Sequence, residues 1–259
     1  MPDQIRATRD DWDAHWEHYA DSAARNPAQR MRHDLIARLL CQDAGKDAMR
    51  ILDLGSGQGD LVLKLKRLLP KAEFAGVELS ETGVAISQRK VPEATFLVAD
   101  VWRPGAALQD FAGWATHAVC SEVLEHVDDP AFFLRQARES LAAGARLIVT
   151  VPGGPISAFD CHIGHRQHFN RKRIAQILVA AGYCVDHVYR TGFPFFNLYR
   201  LVVLARGKRL ALDVETESSG AGSILANFVM KILGILFRGN LLDSPFGWQL
   251  VTVAHKTLS

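Results

Sequence analysis

Carboxylates and imidazoles recur in this sequence at the ends of apolar runs, where a side chain can reach a ligand. Residues 51–60, ILDLGSGQGD, pass from a hydrophobic run into glycines at 55, 57 and 59. Glycines in such a turn let backbone N–H groups approach a ligand closely, because no Cβ stands in the way. A dinucleotide fingerprint places its third glycine three residues after the second. Asp60 stands there instead and would repel a pyrophosphate. Glu78 ends the next apolar run, 21 residues after Gly57, where a carboxylate can accept hydrogen bonds from both hydroxyls of a ribose. Asp100 ends the run after that, within reach of the exocyclic amine of an adenine. A ribose acceptor, an adenine acceptor and a glycine turn with no phosphate clamp describe a nucleoside with a non-phosphate tail.

Two further clusters could carry out chemistry. The stretch EVLEH holds Glu122, Glu125 and His126, and DCHIGHRQHF holds His162, His165 and His168 at intervals of three. That interval could place three imidazoles on one side of a helical turn, where a transition metal is conceivable. Gly153, Gly154 and Gly164 favour a loop.

The elements that must position these groups alternate. RILDLG, EFAGVEL, ATFLVAD, HAVCSEVL and ARLIVTVP read as strands. Between them DLVLKLKRLL, SETGVAISQRK and PAFFLRQARESLAAG read as helices, with Ser80 as a cap and Gly144 as a stop. Asn26-Pro27 starts an earlier helix that runs to about Cys41. RKRIAQILVAAG is a later helix, YCVDHVYRTG a strand and GWQLVTVAHK the last strand. The pattern implies a mostly parallel sheet covered on both faces, with ligands at the carboxyl ends of its strands.

With ILDLGSGQGD, GVELS, VADVW and AVCSEVLEHVDDP in that order, the sequence resembles a class I S-adenosylmethionine-dependent methyltransferase over roughly residues 30–190, in the form seen in the ubiquinone-biosynthesis O-methyltransferases and their small-molecule relatives. The resemblance implies an α/β, Rossmann-like seven-stranded sheet with its last strand antiparallel and helices on both faces. It implies that Asp53 orders the turn and approaches the methionine amino group, with Gly55 and Gly57 against the methionine tail. Glu78 would hold the ribose, Asp100 and the backbone at Val101 the adenine, and Ser121 would line the site beneath the sulfonium. Relatives associate the residues matching Glu122, Glu125 and His126 with magnesium. A histidine suits that ion poorly, and local capping by Glu125 and His126 accounts for them without it, so no metal ligand is expected. Gly164, His165 and Phe169 match a family segment, with His165 facing the active-site mouth, whereas Arg166 and His168 depart from its pattern. His165 is the first choice for a general base, with His126 beside it; a structural role serves His165 equally well. Arg30 and Arg32 are both candidates for the cofactor carboxylate. The aromatic stripe Trp12, Trp16 and Tyr19 would form a lid.

The resulting organisation is a helical lid over 1–45, a cofactor-binding core over 46–192, an apolar insertion over 193–245 and a final core strand over 246–259. The insertion contains SILANFVMKILGILFRGNLL, the most apolar stretch, read as a helix of about 16 residues that covers the substrate pocket, meets a lipid-like substrate or membrane surface, or forms a dimer face. No run reaches the roughly 18 apolar residues of a membrane span. The net charge of +2, with Lys and Arg dispersed, does not suggest a nucleic-acid partner. Four cysteines without CxxC spacing and a polar start without a signal's apolar centre are consistent with a reducing cytoplasm. The expected reaction is O-methylation of a small, partly apolar molecule; N- and C-methylation use the same scaffold. The alternative is a cofactor-binding protein or partner subunit without transferase activity.

Overall fold

The structure, a computed structural model, describes residues 12–14, 16–17, 26–45, 48–101, 106–207 and 221–258. Tyr19, and parts of the stripe and of the insertion, lie outside the described residues. Helix α1 (Pro27–Leu40) starts where its sequence dictates: the Asn26 side chain accepts from the Ala28 N–H, and proline occupies the first turn. There follow β1 (Arg50–Leu54), α2 (Asp60–Leu68), β2 (Glu73–Glu78), α3 (Glu81–Lys90), β3 (Thr95–Val98), α4 (Ala106–Gln109) and β4 (Ala115–Ser121). The chain continues through α5 (Pro130–Arg138), β5 (Leu141–Pro152), α6 (Ala158–His162), α7 (Arg171–Ala180) and β6 (Tyr183–Thr191). It ends with α8 (Phe195–Arg206), α9 (Ala221–Leu236) and β7 (Gln249–Lys256).

The seven strands form one sheet in the order β3-β2-β1-β4-β5-β7-β6. Neighbours from β3 to β5 pair in parallel, and β7 runs antiparallel between β5 and β6. This is the expected seven-stranded sheet with its last strand reversed. The alternation of side chains along each strand supplies a core on either face. Ile51, Val119 and Ile148 pack on one side against Ile36 and Leu40 of α1 and Leu61 and Leu65 of α2. Leu52, Ala118 and Leu147 pack on the other against Phe133 and Leu134 of α5 and Ile174 and Leu178 of α7.

One expected boundary is corrected. The helix from Pro130 ends at Arg138 instead of running to Gly144, and β5 already begins at Leu141. Leu141 pairs with Ala115, the register shifts between Ala115 and His117, and Gly144 takes a positive φ of 72° within the irregularity. Pairing with β4 claims residues whose local pattern reads equally as helix. The polar connection after β5 also holds a short helix, α6, secured by a capping box in which Ser157 and Asp160 exchange side-chain and backbone bonds.

Candidate functional site

The strand order reverses between β1 and β4, and the carboxyl ends of the parallel strands open there into a cavity. Gly55, Glu78, Asp100, Val101, Glu122 and His126 line it, together with Trp12 and Trp16. Gly55, Gly57 and Gly59 all have positive φ, 77°, 53° and 76°. A Cβ on Gly57 would lie 2.6 Å from the Trp16 ring, and one on Gly55 would lie 2.4 Å from Val123. The aromatic side chain therefore rests directly on the bare backbone of the turn.

Glu78 is buried at the end of β2. Its Oε2 accepts the Gly57 N–H at 2.8 Å, and its Oε1 accepts the N–H groups of Leu79 at 2.9 Å and Ser80 at 3.1 Å. Burial raises its pKa, and the three backbone donors partly offset that rise. The carboxylate thus braces the glycine turn while facing the cavity; Oε1 is filled by its two N–H donors, and Oε2 keeps lone-pair capacity for a ligand hydroxyl. Asp100 lies two residues beyond β3 and lines the same cavity with Val101. Asp53 is buried in β1, and burial, with the Glu78 charge adding to it, raises its pKa to about 7.

Asp53, Gly57, Ser121 and His165 are not among the residues lining the cavity. Ser121 belongs to a chain behind the cavity wall. Its Oγ meets Thr150 Oγ1 at 2.8 Å, and that hydroxyl donates to Glu122 Oε1 at 3.1 Å. Gln249, at the start of β7, donates to the same oxygen at 2.9 Å, and Arg32 of α1 faces Glu122 Oε2 at 3.6 Å. Of the two candidate arginines, Arg32 is the one placed beside this carboxylate. Glu122 has φ 56°, the only non-glycine positive φ among the described residues. Such a conformation costs on the order of 1–3 kcal/mol and persists where surrounding bonds over-determine it.

His126 lines the cavity, and His165 and His168 gather behind it. The loop after α6 is stitched to the Leu124–His126 turn: Arg166 N–H donates to Glu125 O at 2.9 Å, and Gln167 Nε2 donates to Leu124 O at 3.3 Å and Val127 O at 2.7 Å. His126 is held between Trp12, edge-on at 4.9 Å, and His165, edge-on at 4.8 Å. His168 Nδ1 lies 3.1 Å from Gly154 O, which can only accept. With His168 neutral, its Nε2 must then accept from His165 Nδ1 at 3.1 Å, leaving the His165 Nε2 lone pair toward Glu125 Oε1 at 4.0 Å. Burial, followed by the proximity of His126, lowers the His165 pKa to about 3. Glu125 is fully buried and makes no hydrogen bond through either oxygen. Burial, followed by the Glu122 charge, pushes its pKa well above the ordinary carboxylate value. His162 ends α6 on the exposed side and does not join the row.

The magnesium pattern of the ubiquinone-type relatives does not fit. Glu122 is committed to Gln249, Thr150 and Arg32, and a cation beside it opposes a divalent ion. The donor groups that converge are instead Glu125, His126 and His165, and Asp160, His165 and His168, each within 4.8 Å. Both sets are rich in imidazole, unlike the oxygen shell magnesium takes.

Two residues that the sequence reading passed over tie the insertion to this row. Arg200 of α8 donates to both oxygens of Asp160 at 2.8 and 2.6 Å, and Asp160 Oδ2 lies 3.9 Å from His168 Nε2. Burial alone would raise the Asp160 pKa, but Arg200 and Ser157 outweigh it and hold the carboxyl at about 2. Arg200→Ala is expected to lower the thermal midpoint, because removing one partner of a buried ion pair costs about 3–5 kcal/mol. Because the Asp160 pKa is depressed, the wild type's advantage is present above the unfolded carboxylate pKa and is lost as the pH falls toward 2. Melting of the two proteins at neutral and acid pH checks this; coincident neutral melts would show the clamp to be dispensable.

Fold and cavity together place the chain among the class I S-adenosylmethionine-dependent methyltransferases. It belongs to the methyltransferase domain family, whose model matches residues 16–188. It is 30% identical over 145 residues to a trans-aconitate 2-methyltransferase of Variovorax paradoxus, covering 55% of this chain and 50% of that enzyme. It is 33% identical over 159 residues to a demethylmenaquinone methyltransferase of Thermus thermophilus, covering 54% of this chain and 69% of that enzyme. The chain thus spans half the length of the first of these relatives. A TehB-like S-adenosylmethionine-dependent methyltransferase structure from Corynebacterium glutamicum shares the fold, with a TM-score of 0.56 and 16% identity over 94% of this chain and 99% of that one. The likeness to ubiquinone-type O-methyltransferases is looser, in keeping with the different use of Glu122.

Proposed function

We propose that the protein transfers the methyl group of S-adenosylmethionine to an oxygen atom of a small, partly apolar molecule, with His126 receiving the acceptor's proton. The observation that carries this reading is that one cavity is lined by the acids suited to the nucleoside, Glu78 and Asp100, and by an imidazole, His126. The donor supplies an electrophilic methyl carbon, so the protein's work is to place a nucleophile about 3 Å away in line and exclude water. Trp16 covers the turn, Glu78 orients the ribose, and Trp12 and His165 hold the His126 ring between them. His165 is neutral and supports His126 from behind. The insertion presents exposed apolar side chains, which favours an acceptor with lipid-like character and brings a membrane surface or a second chain within reach. All four cysteines are free, as suits a reducing cytoplasm.

Calorimetry with S-adenosylmethionine, followed by transfer of labelled methyl to hydroxylated apolar acceptors, tests the reading. Micromolar binding and label extractable into organic solvent are expected. Absence of binding at high micromolar concentration would remove the donor assignment. Binding without turnover across the acceptor panel would favour a cofactor-binding subunit.

The resemblance places the cationic methionine amino group toward Asp53, and this gives a pH dependence. A carboxyl held at about 7 in the free protein must ionise to meet that cation. Donor affinity is therefore expected to rise by up to about tenfold per pH unit between pH 5 and 7 and then level off. In the free protein the sign is opposite: the raised pKa favours the protonated form, so stability declines as pH climbs from the unfolded value through about 7. Asp53→Asn should flatten both profiles, and an unchanged affinity profile in that variant would contradict the assignment.

A further inference from the structure

We propose that the outer faces of α8 and α9 form a docking surface for an anionic lipid bilayer. On α8, Leu198, Leu201 and Val202 share one side and are 59%, 50% and 52% exposed. On α9, Phe228, Ile232 and Ile235 do the same at 60%, 41% and 65%. The two helices touch each other, and α9 rests on α1, so these side chains project from one supported platform instead of a loose tail. Inward-facing bonds fix the platform: Asn197 donates to Phe246 O and accepts from Trp248 N–H, and Asn240 accepts from Phe195 and Phe196. Exposed apolar side chains clustered in this way mark a contact surface.

Charge identifies what covers it. Arg206, Lys231 and Arg238 are exposed on the same elements, and Phe195–Arg206, Ala221–Leu236 and Phe237–Gly239 contain no acid. Asp213, Glu215 and Glu217 belong to the intervening segment, outside the described residues. Apolar side chains bordered by cations suit acyl chains beneath anionic headgroups. The 16 residues of α9 fall short of the roughly 20 a span needs, and no helix among the described residues is long and apolar enough to cross a membrane. A two-fold pairing with a second copy would set the same cations against one another. The helix that presents Leu198 and Leu201 outward also turns Arg200 inward onto Asp160, so a bilayer on this face lies over the histidine row. An acceptor leaving the headgroup region would then enter on the side of the molecule that carries this row. That consequence rests on the methyltransferase reading; the docking itself does not.

Co-sedimentation with phosphatidylcholine vesicles, and with vesicles that also contain phosphatidylglycerol, tests the proposal, using the full chain without S-adenosylmethionine. Binding is expected to the mixed vesicles, weakening as salt is raised. The double variant Phe228→Asp, Ile235→Asp should lose at least about tenfold in binding. Lys231→Gln and Arg238→Gln should each lose about fivefold. Calorimetry with S-adenosylmethionine should give wild-type affinity in all of these variants, which separates failure of the docking from failure of the methyltransferase reading. No sedimentation with either vesicle, equal sedimentation with both, or undiminished binding by the aspartate variant would overturn it. So would a wild-type dimer in analytical ultracentrifugation that the aspartate variant dissolves without any vesicle binding, which would assign the face to a second copy of the chain.

Discussion

Glu78→Ala is expected to abolish measurable binding of S-adenosylmethionine and to destabilise the free protein as well. The carboxylate receives three backbone N–H groups, from Gly57, Leu79 and Ser80, around the glycine turn. Stranding each buried donor costs about 1–3 kcal/mol. A ribose hydroxyl would also lose a charged acceptor, at about 1.5–3 kcal/mol. The lost ribose bond alone corresponds to roughly ten- to a hundredfold in affinity, and the slackened glycine turn weakens binding further. Glu78→Gln separates the two roles: it preserves the volume but aims an N–H of its amide at donors that need an acceptor. It should therefore melt between wild type and alanine while still binding far more weakly than wild type. Calorimetry with S-adenosylmethionine and thermal melts of the three proteins check the order. An alanine variant that binds the cofactor like wild type would break the link between the end of β2 and the ribose.

Glu78 also illustrates how far the sequence could be read. Its distance from the glycine turn showed that an acid would stand at the carboxyl end of β2, because strand, turn and helix have characteristic lengths and the caps Asn26 and Ser80 mark where helices begin. What spacing could not show is that both oxygens already hold backbone N–H groups. The same limit applies to α5, where Leu141 joins β4 instead of extending the helix: a short apolar run has no period of its own, and only its partner decides. The Arg200–Asp160 clamp joins residues 40 apart through the docking of an insertion, so no local pattern announces it. Nor does any residue type announce a left-handed glutamate. Glu122 is held that way by Thr150, Gln249 and Arg32, which come from β5, β7 and α1 and meet only once the sheet has formed. The signs that could have helped were polar residues inside otherwise apolar strands: Thr150 and Gln249 are both fully buried.

The two imidazoles proposed for catalysis should separate cleanly in kinetics. His126→Ala is expected to lower kcat by about 10²–10⁴, the range for loss of a positioned general base, with donor affinity reduced far less because Glu78 and Asp100 remain. His165→Ala should cost less and by a different route. His165 lies behind the cavity wall, and burial holds it at about 3, so it stays neutral throughout any practical assay range. Its contribution is to press edge-on against His126 while His168 and Gly154 fix its own tautomer. An acidic limb in the pH profile of kcat, measured at saturating S-adenosylmethionine, should therefore survive His165→Ala, with a smaller kcat, and disappear in His126→Ala. His165→Phe, which keeps an aromatic edge against His126 without a titratable nitrogen, should recover part of the lost rate if the role is positional. Loss of the limb in His165→Ala, together with a near-normal rate in His126→Ala, would transfer the base to His165 and require the loop after α6 to move, because only then could its Nε2 reach an acceptor in the cavity.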